Sequence, residues 1–147
     1  MHIPDGFIDL PTSGAFAVAA AAGVAISIRG AKSSLDEKTA PLAGLTATFI
    51  FAVQMLNFPV AAGTSGHLLG AALAAVLIGP YAATLAITIV LILQALLFAD
   101  GGLSALGLSI FNMSIIAVWF GYGVFLLVKK IMPKKKVSIG IAAAIAA

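Results

Sequence analysis

Residues 80–98, PYAATLAITIVLILQALLF, decide the fold. The stretch carries no charge. Its proline comes first, where the opening turn of a helix needs no amide N–H. At 1.5 Å per residue such a helix is about 28 Å long, close to the ~30 Å hydrocarbon thickness of a bilayer. The sequence therefore predicts a membrane-spanning helix over about Pro80–Phe98.

The surrounding sequence repeats the pattern. The chain has 147 residues, of which 62% are hydrophobic and 9% charged. A soluble domain carries about 25% charged and 45–50% apolar residues, so lipid is the natural solvent here. Further helices are expected over about Ser13–Ile28, Thr39–Leu56, His67–Ile78 and Ser104–Val128. Proline at 59 ends the second of these, because it disfavours helix in the residue before it. Val60–Gly66 reads as a small-residue loop, and Asp100-Gly101-Gly102 as a turn. A sixth apolar run starts near Val137 and is too short to span by Ala147, so one membrane domain over 1–147, incomplete at its C-terminus, is expected. The fold class is an all-α polytopic transmembrane bundle with five visible spans and the start of a sixth.

Charge sets the orientation. All eight Lys and Arg residues fall in two loops: Arg29, Lys32 and Lys38 in one, and Lys129, Lys130, Lys134, Lys135 and Lys136 in the other. Five spans put both loops on one side, which the positive-inside rule makes cytoplasmic. The N-terminus, the Val60–Gly66 loop and the Asp100 turn are then external. The net charge of +3 is juxtamembrane, so no nucleic-acid partner is expected.

Chemistry is confined to few residues. There is no cysteine, so a thiolate metal site is excluded. There is no GxxxxGK[ST] phosphate loop and no HExxH helix. The two histidines, His2 and His67, both fall on the external side. Histidine is the commonest metal ligand, and ionisable groups at membrane depth are costly. The α-amine of Met1, the main-chain nitrogen of His2 and its Nδ1 can wrap one cation in fused five- and six-membered rings. An imidazole from His67 would complete a square of nitrogens, a set that suits nickel or copper, with cobalt possible. The bland alternatives are a solvated His2 and a helix-end His67 bonded to a neighbouring carbonyl. Asp5, Gln54, Asn57, Gln94, Asp100 and Asn112 are candidates for orienting the ligands, since a ligating imidazole usually donates its other N–H to a carboxylate or carbonyl. For the amides the competing role is interhelical hydrogen bonding, and for the two Asp-Gly pairs it is turn chemistry.

Three separated stretches carry a resemblance. MHIPDG at 1–6, FAVQMLNFPVAAGTSGHLLG at 51–70 and ADGGLSALGLSIFNM at 99–113 resemble the signatures of the CbiM/NikM family. Its members are the substrate-capture membrane components of energy-coupling-factor cobalt and nickel transporters. The resemblance implies that Met1, His2 and His67 ligate Ni2+ or Co2+ as transported substrate, with no cofactor. It implies an external N-terminus inserted into the metal site of a prokaryotic cell membrane protein. It also implies partners: a transmembrane coupling subunit, two cytoplasmic ATPases and a small accessory membrane subunit. Alternatives of other classes are an intramembrane metalloenzyme, with Asp5 or Asp100 as its carboxylate, and a non-metal helical subunit of another permease.

Overall fold

A computed structural model describes residues 2–33, 35–37, 39–61, 64–132 and 136–146. Met1, Lys38, Gly63, Lys134 and Lys135, on which parts of the sequence reading rest, lie outside these described residues.

The first helix, α1 (Leu10–Ala31), starts three residues before the expected Ser13 because its cap lies further upstream. Asp9 accepts from the Thr12 amide at 2.8 Å and the Thr12 hydroxyl at 2.9 Å, and Pro11 occupies the first turn. This is the side-chain capping that satisfies an orphan N–H at a helix start. Next come α2 (Thr39–Gln54), α3 (Ala71–Ile78) and α4 (Pro80–Leu97). Gly79, at φ 79°, sits between α3 and α4, a backbone conformation that glycine adopts without a Cβ penalty. A long helix α5 (Leu106–Ile131) and a shorter α6 (Lys136–Ala146) follow.

Among the described residues, three helices are long and apolar enough to cross a membrane: α1, α4 and α5. The apolar α2 is shorter, at 16 residues. α4 is the central element, packed on α1, α2, α3 and the first half of α5, while α6 packs on the second half of α5. Ile87 and Leu91 of α4, Ile50 of α2 and Val118 of α5 are fully buried. Alanines 74, 75, 83 and 86 surround them. Small residues of this kind let backbones approach where lipid offers no hydrophobic drive for helix association. A hydroxyl link joins α4 and α5: the Thr88 and Ser114 hydroxyls lie 2.9 Å apart, and Ser114 donates to the Thr84 carbonyl at 2.7 Å.

Three features differ from the sequence expectation. The expected loop 60–66 contains an antiparallel strand pair, β1 (Phe58–Ala61) and β2 (Thr64–Gly66), with an irregular register. Proline 59 can sit there because an edge strand leaves its missing N–H unused. The third helix begins at Ala71, not His67, and residues 67–70 are non-helical. Gly70, at φ 71°, breaks the chain there, and an apolar Leu68-Leu69 pair concealed the break in the sequence. Finally, α5 contains a π-helical segment over Ile110–Ile116. Such widened turns recur at functional sites.

Candidate metal site

The N-terminal strand of chain is fastened to the turn after α4. Asp5 accepts from the Ser104 amide at 2.7 Å and the Ser104 hydroxyl at 2.6 Å, and the Gly102 amide donates to the Ile3 carbonyl at 2.8 Å. The Ser104 hydrogen bonds hold the Asp5 carboxyl below its usual pKa of 3.8. Both glycines of the turn are needed for this closeness. A Cβ on Gly102 would collide with the Asp5 amide and the Pro4 main chain. A Cβ on Gly101, which has φ 108°, would lie 2.8 Å from Cβ of His2. The Asp-Gly-Gly sequence thus lets the backbone hug residues 2–5.

This docking delivers His2 into the protein, where its side chain is 3% exposed. Its ring centroid lies 5.2 Å from that of His67, with the planes at 42°. His67 comes from the non-helical segment before α3 and is 6% exposed. Its Nδ1 lies 3.0 Å from the Leu68 carbonyl. A carbonyl only accepts, so Nδ1 carries the proton and neutral His67 has its lone pair on Nε2. That Nε2 is buried and has no hydrogen-bond partner among the described residues. A bare, buried imidazole nitrogen is a ready ligand, oriented by the carbonyl on the other side of its ring.

His2 is oriented differently. Its Nε2 faces Oδ2 of Asp100 at 3.9 Å, and both atoms are buried with no hydrogen-bond partner among the described residues. Burial lowers the His2 pKa below 6.5; Asp100 opposes that shift and His67 adds to it. A neutral imidazole at ordinary pH is the form that ligates. Asp100 is itself anchored, its amide donating to the Gln94 carbonyl at 3.1 Å.

The remaining candidates divide. Gln54, fully buried, donates from Nε2 to the Leu69 carbonyl at 2.7 Å and touches the site through that main chain. Gln94 is fully buried, and neither side-chain amide atom has a partner among the described residues. Asn57 is exposed beyond the end of α2. Asn112, on the π segment, is exposed and lines a cavity of about 330 Å³ with Ile3, Leu69, Ser109, Met113 and Ala117. Asp5 faces Ser104, and Asp100 faces His2, so neither carboxylate orients His67; the Leu68 carbonyl does. The sequence reading missed Ser104 and the Leu69 carbonyl, while the Leu68 carbonyl answers to the neighbouring carbonyl of its bland alternative for His67. The Gly101-Gly102 pair was the available signal of a close main-chain approach. Among the described residues, no group of three or more His, Cys, Asp or Glu side chains is spaced to hold a metal ion. Any metal here therefore needs donors beyond the side chains of His2 and His67.

The family model of the cobalt uptake substrate-specific transmembrane region, CbiM, matches residues 2–147. The chain belongs to the CbiM family. It is 47% identical over 125 residues to an Archaeoglobus fulgidus protein named for fused nickel transport, covering 85% of this chain and 41% of that one. It is 36% identical over 135 residues to the cobalt transport protein CbiM of Acetohalobium arabaticum, covering 89% of this chain and 53% of the relative. A crystal structure of a truncated transition metal transporter superposes with a TM-score of 0.88 at 36% identity, covering 99% of this chain and 68% of that one. This CbiM-family chain thus spans about two fifths to three fifths of the length of its sequence relatives. The relatives' names speak of metal transport, not of catalysis.

Proposed function

We propose that this protein captures Ni2+ or Co2+ at the outer face of a prokaryotic cell membrane, as the substrate-binding subunit of an energy-coupled uptake transporter. The observation that carries this reading is the pairing of two buried imidazoles at 5.2 Å, one of them with a bare Nε2. With metal–nitrogen bonds of about 2 Å, imidazoles on neighbouring corners of one ion have centroids about 4.5 Å apart, and on opposite corners about 6.4 Å. The observed spacing is nearer the first.

Two imidazoles are too few donors for one ion, and in this reading the N-terminal main-chain nitrogens complete the set. In the proposed complex the Met1 α-amine, the His2 main-chain nitrogen and His2 Nδ1 occupy three corners, and His67 Nε2 the fourth. The fused chelate leaves its open corner beside Nδ1, in keeping with neighbouring imidazoles. His2 Nε2 is then the nitrogen turned to Asp100. Nitrogen-rich tetragonal coordination favours nickel over the hard cations.

The proposed topology has several membrane crossings, with α2 and α3 supplementing the three long helices. The basic loops are cytoplasmic and residues 2–9 external. Nothing in the sequence hydrolyses ATP by a phosphate loop, so the driving force belongs to partners: a transmembrane coupling subunit, two cytoplasmic ATPases and a small accessory membrane protein. The test is titration of the purified chain with Ni(II) and Co(II), alongside His2→Ala and His67→Ala. Both variants should lose tight binding. Full affinity retained in His67→Ala would refute the site.

A further inference from the structure

We infer that Gln54 is a positioning residue that holds His67 in its ligating form; the inference rests on the metal-binding reading above. Residues 67–70 are non-helical, so their carbonyls have no helical partner; His67 and Gly70 are buried, Leu69 is half-buried and Leu68 is exposed. Such carbonyls take protein donors where these lie within reach. Two consecutive ones do so in different ways. The Leu68 carbonyl takes the N–H of His67 Nδ1 at 3.0 Å, and the Leu69 carbonyl takes the Nε2–H of Gln54 at 2.7 Å. The first bond fixes the tautomer, leaving the lone pair on Nε2. The second fixes the main chain that presents the first carbonyl.

The segment's other anchors lie toward its C-terminal end, where Leu69 packs against the core and the Gly70 carbonyl accepts from the Ala74 amide at 2.9 Å. Gly70 turns the chain at φ 71° with no side chain of its own, seated against Ile50 of α2 one helical turn before Gln54. Gln54 is the last residue of α2, so the helix end and the His67 segment are tied through one amide. Gln54 is fully buried, and its Oε1 has no partner. A leucine of similar size would fill the space at lower desolvation cost. The amide donor is what a leucine lacks.

Without that donor the Leu69 carbonyl loses its protein partner, and the segment is free to turn. The Leu68 carbonyl then leaves His67 Nδ1, and the ring's proton redistributes toward Nε2, the nitrogen that must be bare to ligate. Gln54→Met tests this, because it keeps the length and removes the donor. Gln54→Asn is the second variant, polar but one methylene too short to reach.

The experiment uses the full chain, labelled with 15N-histidine, in lipid nanodiscs. Long-range proton–nitrogen correlation reads the His67 tautomer before nickel is added, and titration with Ni(II) alone follows. The wild type should show the Nδ1–H form. Both variants should show a growing Nε2–H population and nickel affinity about tenfold weaker, which is ~1.4 kcal/mol. An unchanged tautomer overturns the inference, whether nickel binding weakens or not. An unchanged affinity despite a shifted tautomer also overturns it. A wild type that binds no nickel defeats the metal reading instead, and the metal-free tautomer comparison still decides the role of Gln54.

Discussion

Substituting Gly101 by alanine should weaken nickel binding far more than it destabilises the fold. Gly101 sits at φ 108°, where an L side chain is strained, and its new Cβ would lie 2.8 Å from His2 Cβ. The backbone strain costs about 1–3 kcal/mol, but it is present with and without metal and cancels from the affinity. The displacement does not cancel. Ordinary carbon contact begins at 3.4 Å, so His2 must retreat by about 0.6 Å. Metal–ligand distances tolerate about ±0.2 Å. A shift three times that tolerance should cost at least tenfold in affinity, ~1.4 kcal/mol. Gly6→Ala is the matched control. Its φ is 78°, but nothing lies within 4 Å of the added Cβ. It should cost similar stability and leave nickel affinity within about twofold. Isothermal titration calorimetry on both variants separates strain from displacement. Equal affinities for the two variants would refute the argument that the Asp-Gly-Gly turn sets the position of His2.

Further outcomes follow from the same contacts. The Asp5–Ser104 latch should hold from neutral pH down to about 3.8. Its stabilisation is present above that unfolded value and is lost as pH falls through the lower folded one, so amide exchange of residues 2–6 should accelerate only in strong acid and lose that pH step in Asp5→Asn. Nickel at a hundred times its dissociation constant should raise stability by about 2.7 kcal/mol in thermal unfolding, and chelator or His67→Ala should remove the gain. Ser114→Ala cuts the Thr88–Ser114–Thr84 link and should cost about 0.6 kcal/mol of unfolding free energy without altering metal affinity. A Cβ on Gly107 would press on the Ala17 main chain at 2.5 Å, so Gly107→Ala should separate α1 from α5 and lower the unfolding free energy by an overpacking cost of about 1–3 kcal/mol, read as a lower melting temperature.

The long helices were legible because their signal is continuous. An uncharged run such as Pro80–Leu97 has no competing explanation, and its proline and the preceding glycine mark the start. The shared location of His2 and His67 was also readable, since it needs only helix count and lysine placement. What was hidden depends on main-chain direction. His67-Leu68-Leu69-Gly70 reads as the opening of a helix, yet Gly70 takes a left-handed conformation that only glycine's missing Cβ allows cheaply. Once those residues are non-helical, their carbonyls become hydrogen-bond acceptors, and Leu68 displaces every carboxylate considered for His67. Asp100 was visible as a charge in an uncharged region, but its partner, His2 and not His67, follows from how Gly101 and Gly102 seat residues 2–5. The strand pair that includes Pro59 is a local hairpin with no alternating apolar pattern to mark it, and the π turn of α5 lies inside an unbroken uncharged run.

The most direct measurement compares nickel binding by the chain with a free Met1 α-amine and by the same chain acetylated on that amine. Every side chain and the position of His2 are kept, and only the amine's place in the proposed chelate is lost. Affinity should fall by orders of magnitude in the acetylated form. Undiminished binding there would mean that main-chain nitrogen at the N-terminus takes no part in holding the ion.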